Sequence, residues 1–363
     1  MPDNPTIDPT TITATRILLQ QIGITPADLT AATPPTPTFA QAVPQLRTTL
    51  TTGTLRTYNT HLDWLETTWH HRELDTITVA ELHDRARTVE QLAIHHTNTR
   101  NGKSAREHFV SATRCLYLFA EHNNWIHHTR NPARKLTIGH RDPSHRQAIP
   151  SPQLAEICHT AALTGNDPEL DALLLRLHIE TACRRIGALN LRPGDLDPHH
   201  CLILLREKNN TDRHQPVTPT LMHHLLHHAH QRNSPPNQQL LRYRNTKPIT
   251  TRRYDHLWNR IGRHLPWVAT QNISTHWLRH TTLTWVERTF GYATARAYAG
   301  HNSPKHDSTT TYIKADLIEI AAALTALTRE PHPLITTNTP PPRPKNAYTA
   351  SPAHIFTARR DYR

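Results

Sequence analysis

Long apolar runs are missing from this 363-residue chain. Nothing in it resembles a secretory signal or a membrane span, so no membrane partner is expected and a cytoplasmic protein is the default. Cysteine is scarce. Cys115, Cys158, Cys183 and Cys201 stand apart, with no CxxC pair. That argues against a disulfide framework and a cysteine-rich zinc module, and it predicts reduced thiols buried as small hydrophobes. Lysine is rare beside arginine. Acidic residues are outnumbered, with 29 Asp and Glu against 41 Lys and Arg.

The resulting net charge of +12 and pI near 9.9 point to a polyanion, either nucleic acid or anionic lipid. Arginine suits paired contacts with phosphate better than lysine does. Histidine and proline are in excess, at 30 and 29 residues. So many histidines read as a compositional bias, which weakens any argument from a lone one. They also make the charge sensitive to pH near 6.

Residues 1–38 form an extension rich in Thr, Pro and Ala, with one short helical candidate, "TRILLQQIG". Residues 39–135 read as a small helical bundle. Leu55, Tyr58, Leu62, Leu65 and Trp69 recur at helical spacing. A second helix opens at "SARE", a capping box of Ser104 with Glu107, and carries Ala105, Phe109, Ala112, Leu116 and Phe119. Residues 136–148 are a linker. Residues 149–329 form a mostly helical domain with one small antiparallel sheet, in which "CLILLRE", "KNNTDRH" and "QPVTP" read as strand, polar turn and strand. Residues 330–363 are a proline-rich tail expected to be disordered. The fold class is thus mainly α.

A metal reading starts from His276 and His280, four apart in "THWLRHTTLTW". A metalloprotease helix needs a glutamate after the first histidine, and Trp277 stands there. The run "HHLLHHAH" pairs His223 with His227 and His224 with His228, but no acid or cysteine accompanies them. The second domain offers no compelling carboxylate cluster of the kind that two-metal phosphodiester chemistry needs. No metal and no cofactor is therefore expected.

Arginine gives a more coherent pattern. "TACRRIGALNLRPGDLD" sets Arg184 and Arg185 where a helix meets a turn. "LLREKNNTDRH" puts Lys208 at the tip or edge of the hairpin. "THWLRH" places His276 and Arg279 one helical turn apart on one face. "YAGHN" supplies His301, and "TTTYIKADL" supplies Tyr312. Taken in this order, the set resembles the tyrosine recombinase (phage integrase) family, over roughly residues 40–328. That family shows an arginine box of "TxxR" form, a hairpin lysine, an HxxR box, a GH box and a following tyrosine. By this resemblance the first block is a SAM-like core-binding domain and the second is the catalytic domain.

The chemistry fits a phosphodiester. Attack on phosphorus builds negative charge on the non-bridging oxygens, and guanidinium and imidazole groups can neutralise it. Arg184 and Arg279 would clamp the phosphate, and His301 would add a hydrogen bond. Arg184 is preferred over Arg185 because it stands third after Thr181, as in the family. Tyr312, ordinarily titrating near pH 10, needs a proton acceptor, and His276 is the candidate base. By resemblance Lys208 is the general acid for the leaving 5′-hydroxyl, and the product is a 3′-phosphotyrosyl link. His280 is auxiliary.

The chain departs from the family at three points. Gly187 stands where the first box often has a glutamate, a residue that supports the structure. Trp277 replaces a commonly polar residue. The interval from His301 to Tyr312 is longer than usual. The implied partners are double-stranded DNA held between the two blocks, a homo-tetramer on DNA, and a directionality factor. The implied location is nucleoid-associated. In relatives the segment corresponding to "DLIEIAAALTAL" packs on a neighbouring protomer, whereas an apolar helix of this kind can equally pack on its own domain. Two other readings stand beside the recombinase: a catalytically silent DNA-binding accessory protein, and a topoisomerase IB-like relaxing enzyme.

Overall fold

The computed structural model describes residues 8–21, 36–93, 102–138, 147–207, 211–300 and 317–335. The chain divides into two compact units, Met1–Pro143 and Ser144–Arg363. Each has its own core.

In the first unit, α1 (Pro9–Gln21) is exposed along nearly its whole length. The bundle proper consists of α2 (Phe39–Thr49), α3 (Thr52–Thr68), α4 (Val79–Ala93) and α5 (Lys103–His122). The stripe read on α3 buries Leu62 and Leu65 fully, with Trp69 just past its end. Its neighbours in the core are Phe39 on α2 and Tyr117 on α5, and the Tyr117 hydroxyl donates to the Leu74 carbonyl at 2.7 Å. Two elements escaped the sequence reading. α2 carries Pro44 inside it, which looks like a breaker, yet burial of Phe39, Ala42, Val43 and Leu46 holds the helix together. α4 buries Leu82, Ala86 and Val89. The expected capping box at Ser104 is a correction. α5 begins at Lys103, so Ser104 lies inside it and Gly102 is the capping residue. Gly102 has φ +81°, and a Cβ there would sit 1.9 Å from the Glu90 carbonyl oxygen, so only glycine fits.

The second unit is built on α7 (Pro168–Thr181), whose side chains are buried almost all round. Around it stand α6 (Ser151–Leu163), the short α8 (Arg185–Leu189), α9 (Pro219–Gln231), α10 (Thr251–His264), α11 (Pro266–Thr270), α12 (Thr275–Phe290), α13 (Tyr292–Tyr298) and α14 (Leu317–Thr328). Strands β1 (Leu196–Asp197), β2 (Leu202–Glu207) and β3 (Thr211–Pro216) form one antiparallel sheet in that order. In β2, Ile203, Leu205 and Glu207 face inward, as period-two alternation requires. The register pairs Glu207 with Thr211 and Leu202 with Pro216. The second strand therefore starts earlier than the sequence reading placed it. "TDRHQP" is strand, not turn, because it pairs residue for residue with β2.

Three further points bear on the site. α14 packs in its own chain, with Ile320, Ala321, Ala323, Leu324 and Leu327 buried. The unit also continues beyond Arg329, where the tail was expected to begin. Glu330 accepts from the Thr220 amide and hydroxyl at the start of α9, both at 2.7 Å. His332 is 3% exposed and makes a 3.2 Å hydrogen bond from Nε2 to the Cys201 carbonyl. Finally, Cys158, Cys183 and Cys201 are buried and Cys115 is half-buried, all as free thiols. Among the described residues, no helix is long and apolar enough to cross a membrane.

Candidate active site

α7 ends where Ala182 takes a left-handed conformation, φ +48°, and its amide still bonds back to the His178 carbonyl. The chain then leaves the helix, and Arg184 becomes the residue preceding α8. This sharp exit separates the two neighbouring arginines. The Arg184 side chain reaches inward to Glu207, while Arg185 lies on the surface with Asp255 at 3.8 Å.

Arg279 lies on the inner face of α12 and is 4% exposed. One guanidinium nitrogen donates to the Ala182 carbonyl, and the other donates to the Ala299 carbonyl at 2.8 Å. It thus ties the exit of α7 to the last residues before the GH box. Burial lowers its pKa to about 10, and the nearby positive charge of Arg184 pushes the same way. It still carries its charge at neutral pH. Gly300, with φ +66°, follows directly. A Cβ there would fall 2.3 Å from Arg213 Cδ, so the glycine is needed both for its backbone angle and for space.

Two groups that the sequence reading did not single out complete the cluster. Glu207, at the inner end of β2, accepts from the Arg184 amide at 3.0 Å and from the Arg184 guanidinium. Burial by itself would raise the Glu207 carboxyl. The Arg184 amide and the Arg213, Arg184 and Arg279 guanidinium groups outweigh burial and hold it below its ordinary value. Arg213 on β3 lies 3.7 Å from the same carboxylate and donates to the Thr181 carbonyl at 3.3 Å. Both could have been found from the alternation of β2 and β3, had "TDRH" been read as strand. Behind them, His178 bonds to the Cys183 carbonyl through Nδ1 at 3.1 Å and to the Tyr254 hydroxyl through Nε2 at 3.0 Å. A carbonyl can only accept, so Nδ1 donates, and in the neutral ring Nε2 then accepts from the Tyr254 hydroxyl. Burial lowers its pKa to about 4 accordingly.

Of the residues singled out from sequence, Arg184 and Arg279 are brought together, through Ala182 and through the Glu207 field. His276 is exposed in the first turn of α12, one turn before Arg279. His280 is half-buried, with Nδ1 3.2 Å from the Thr284 hydroxyl. Lys208, His301 and Tyr312 lie outside the described residues. Tyr298, which precedes the GH box, is fully buried and donates to the Glu180 carbonyl, and burial pushes its hydroxyl pKa up. The His223 and His227 rings stack 6.4 Å apart on α9. Among the described residues, no group of three or more His, Cys, Asp or Glu could hold a metal ion.

The second unit is thus mostly helical with one small antiparallel sheet, and it carries two arginines from adjoining elements around one buried carboxylate. Residues 148–317 match the family model described as the phage integrase family, so the chain carries a phage integrase, or tyrosine recombinase, domain over those residues. The chain is also similar in fold, over most of its length, to solved structures. One is a lambda integrase dimer bound to a COC′ core site, 12% identical, covering 84% of this chain and 86% of that one, with a TM-score of 0.56. A lambda integrase tetramer bound to a Holliday junction is likewise 12% identical, covering 83% and 90%, at 0.55. The Tn1549 transposon integrase with circular intermediate DNA is 14% identical, covering 77% and 95%, at 0.56. No match was found among curated proteins.

Proposed function

We propose that this protein is a site-specific DNA recombinase that cleaves and rejoins strands through a 3′-phosphotyrosyl intermediate, with double-stranded DNA as substrate. The observation that carries the proposal is the union of two arginines from different elements, Arg184 and Arg279, inside a phage integrase family domain. Arg184 keeps 38% of its side chain exposed, so its guanidinium can meet a phosphate from solvent. Arg279 is buried and holds the floor of the same site.

In this reading the two guanidinium groups and His301 neutralise the charge that develops on the non-bridging oxygens. His276 accepts the Tyr312 proton as the phenol attacks phosphorus. The P–O5′ bond breaks, and Lys208 gives the leaving 5′-oxygen its proton. The phosphotyrosyl bond keeps the energy of the phosphodiester, so the reverse step joins a new strand without ATP. A homo-tetramer on DNA, a directionality factor and a nucleoid-associated, cytoplasmic setting belong to the same reading. The net charge of +12 supports DNA as the partner.

A suicide DNA substrate tests this reading. The wild-type chain is expected to form a covalent adduct, and Tyr312→Phe is expected to bind DNA without forming one. An adduct in both would move the nucleophile elsewhere. Binding without an adduct in either would leave an accessory DNA-binding protein. A plasmid bearing two sites then separates recombination from simple relaxation.

A further inference from the structure

The first arginine box holds an oddity that the site geometry resolves. Gly187 lies on α8, one helical turn after Arg184, at the position where an acidic side chain would reach back to that arginine. It is buried, and it has no strained backbone angle to explain the glycine. What explains it is a neighbour. A Cβ on Gly187 would stand 3.3 Å from Glu207 Cγ and 3.5 Å from Glu207 Oε1. The space beside Arg184 is already occupied by a carboxylate that arrives from the sheet.

Glu207 is an unusual occupant of that space. Its side chain is wholly buried, on the strand face otherwise formed by Ile203 and Leu205. An inward carboxylate is costly unless it is fully paired. Here one oxygen takes the Arg184 amide and the other takes the Arg184 guanidinium, while Arg213 approaches from β3. The carboxylate therefore fixes both the backbone and the side chain of one residue.

We infer that Glu207 is the positioning carboxylate of Arg184, supplied from β2 in place of an acid on α8, with Gly187 as the vacancy that admits it. The inference rests on the proposed role of Arg184 at the scissile phosphate. Glu207 touches no substrate. It holds one edge of the guanidinium and leaves the rest of the side chain toward solvent, so the arginine meets the phosphate already oriented. It also offsets part of the repulsion among Arg184, Arg213 and Arg279, which would otherwise push the three apart before DNA arrives. Glu207 is the last residue of β2, and the proposed general acid Lys208 is its neighbour in sequence.

Relocating the carboxylate tests this. Glu207→Gln keeps the shape and an acceptor for the Arg184 amide but removes the charge. It should lower the single-turnover rate of adduct formation by about 10- to 100-fold, as loss of an outer partner of a reacting group does, with DNA affinity little changed. Glu207→Ala should do the same or worse. The double variant Gly187→Glu/Glu207→Ala puts the acid back on α8 in the space vacated, and it should recover most of the lost rate. Wild-type rates in both single variants would overturn the inference. So would a double variant whose melting temperature recovers while its rate does not. If the wild-type chain itself forms no adduct, the recombinase reading fails separately, and a thermal double-mutant cycle of Arg184→Met with Glu207→Gln then decides. Non-additive melting shifts support the pairing, and additive shifts overturn it.

Discussion

Arg279, proposed to serve the phosphate, also holds the fold together. Its nitrogens satisfy the carbonyls of Ala182 and Ala299, which belong to different turns of the chain. A lysine keeps the charge but offers a compact ammonium in place of a planar fork. Arg279→Lys is therefore expected to leave at least one carbonyl without its partner. It should destabilise the unit by about 1–3 kcal/mol and slow adduct formation by roughly 100-fold or more. Thermal melting and the suicide-substrate assay read the two effects separately. Arg279 was singled out in "THWLRH" by its place one turn from His276 together with the family resemblance of the whole set. Its partners were not legible, since a hydrogen bond from α12 to the end of α7 spans 97 positions of sequence. Glu207 was hidden for a related reason. It follows an arginine and precedes Lys208 in a polar-looking stretch, and only the strand's alternation turns it inward.

Elements were easier to read than contacts. "PTLMHHLLHHAHQ" is α9 from end to end, because Thr218 caps it, Pro219 opens it and its apolar residues recur at helical spacing. α2 was lost to its internal proline, and the start of α5 was misplaced by a capping pattern that packing overrode. The segment after α14 was the larger surprise. A proline-rich tail has no periodicity to read, yet Glu330 serves as a distant cap for α9, and its other oxygen lies 3.5 Å from Arg176. His332 accepts from the Leu334 amide through Nδ1 and so donates through Nε2 to Cys201. Ending the chain at Arg329 removes both fastenings. The expected cost is about 2–3 kcal/mol, from one lost helix cap and the buried histidine's bonds. In a unit of this size that corresponds to a fall in melting temperature of roughly 5–10 °C, measurable by calorimetry. Glu330→Ala alone should give about half of it.

At the scale of the molecule, the histidine excess becomes a stability property. His178 and His228 are buried, and burial lowers each to about pH 4. His228 accepts the Arg242 amide at 3.2 Å, a bond available only to the unprotonated nitrogen. An unfolded histidine takes up its proton near pH 6.5, so the unfolded chain binds more protons between about pH 6.5 and 4. Stability is therefore full above that range and is lost as pH falls through it. At pH 5 each of these two rings should have cost the fold roughly 2 kcal/mol. Melting curves from pH 7 to pH 5 should show the decline, and His228→Gln, which keeps an acceptor for Arg242, should flatten part of it. The composition announced such sensitivity, but which rings carry it depends on burial that only the fold decides. The burial of α14 has a different outcome. A copy that lent this helix to a neighbour would first have to uncover Ile320, Leu324 and Leu327, at roughly 1.5–3 kcal/mol for each large side chain. In the assembly on DNA proposed above, each subunit would keep its own α14, and dilution would separate the copies without unravelling them.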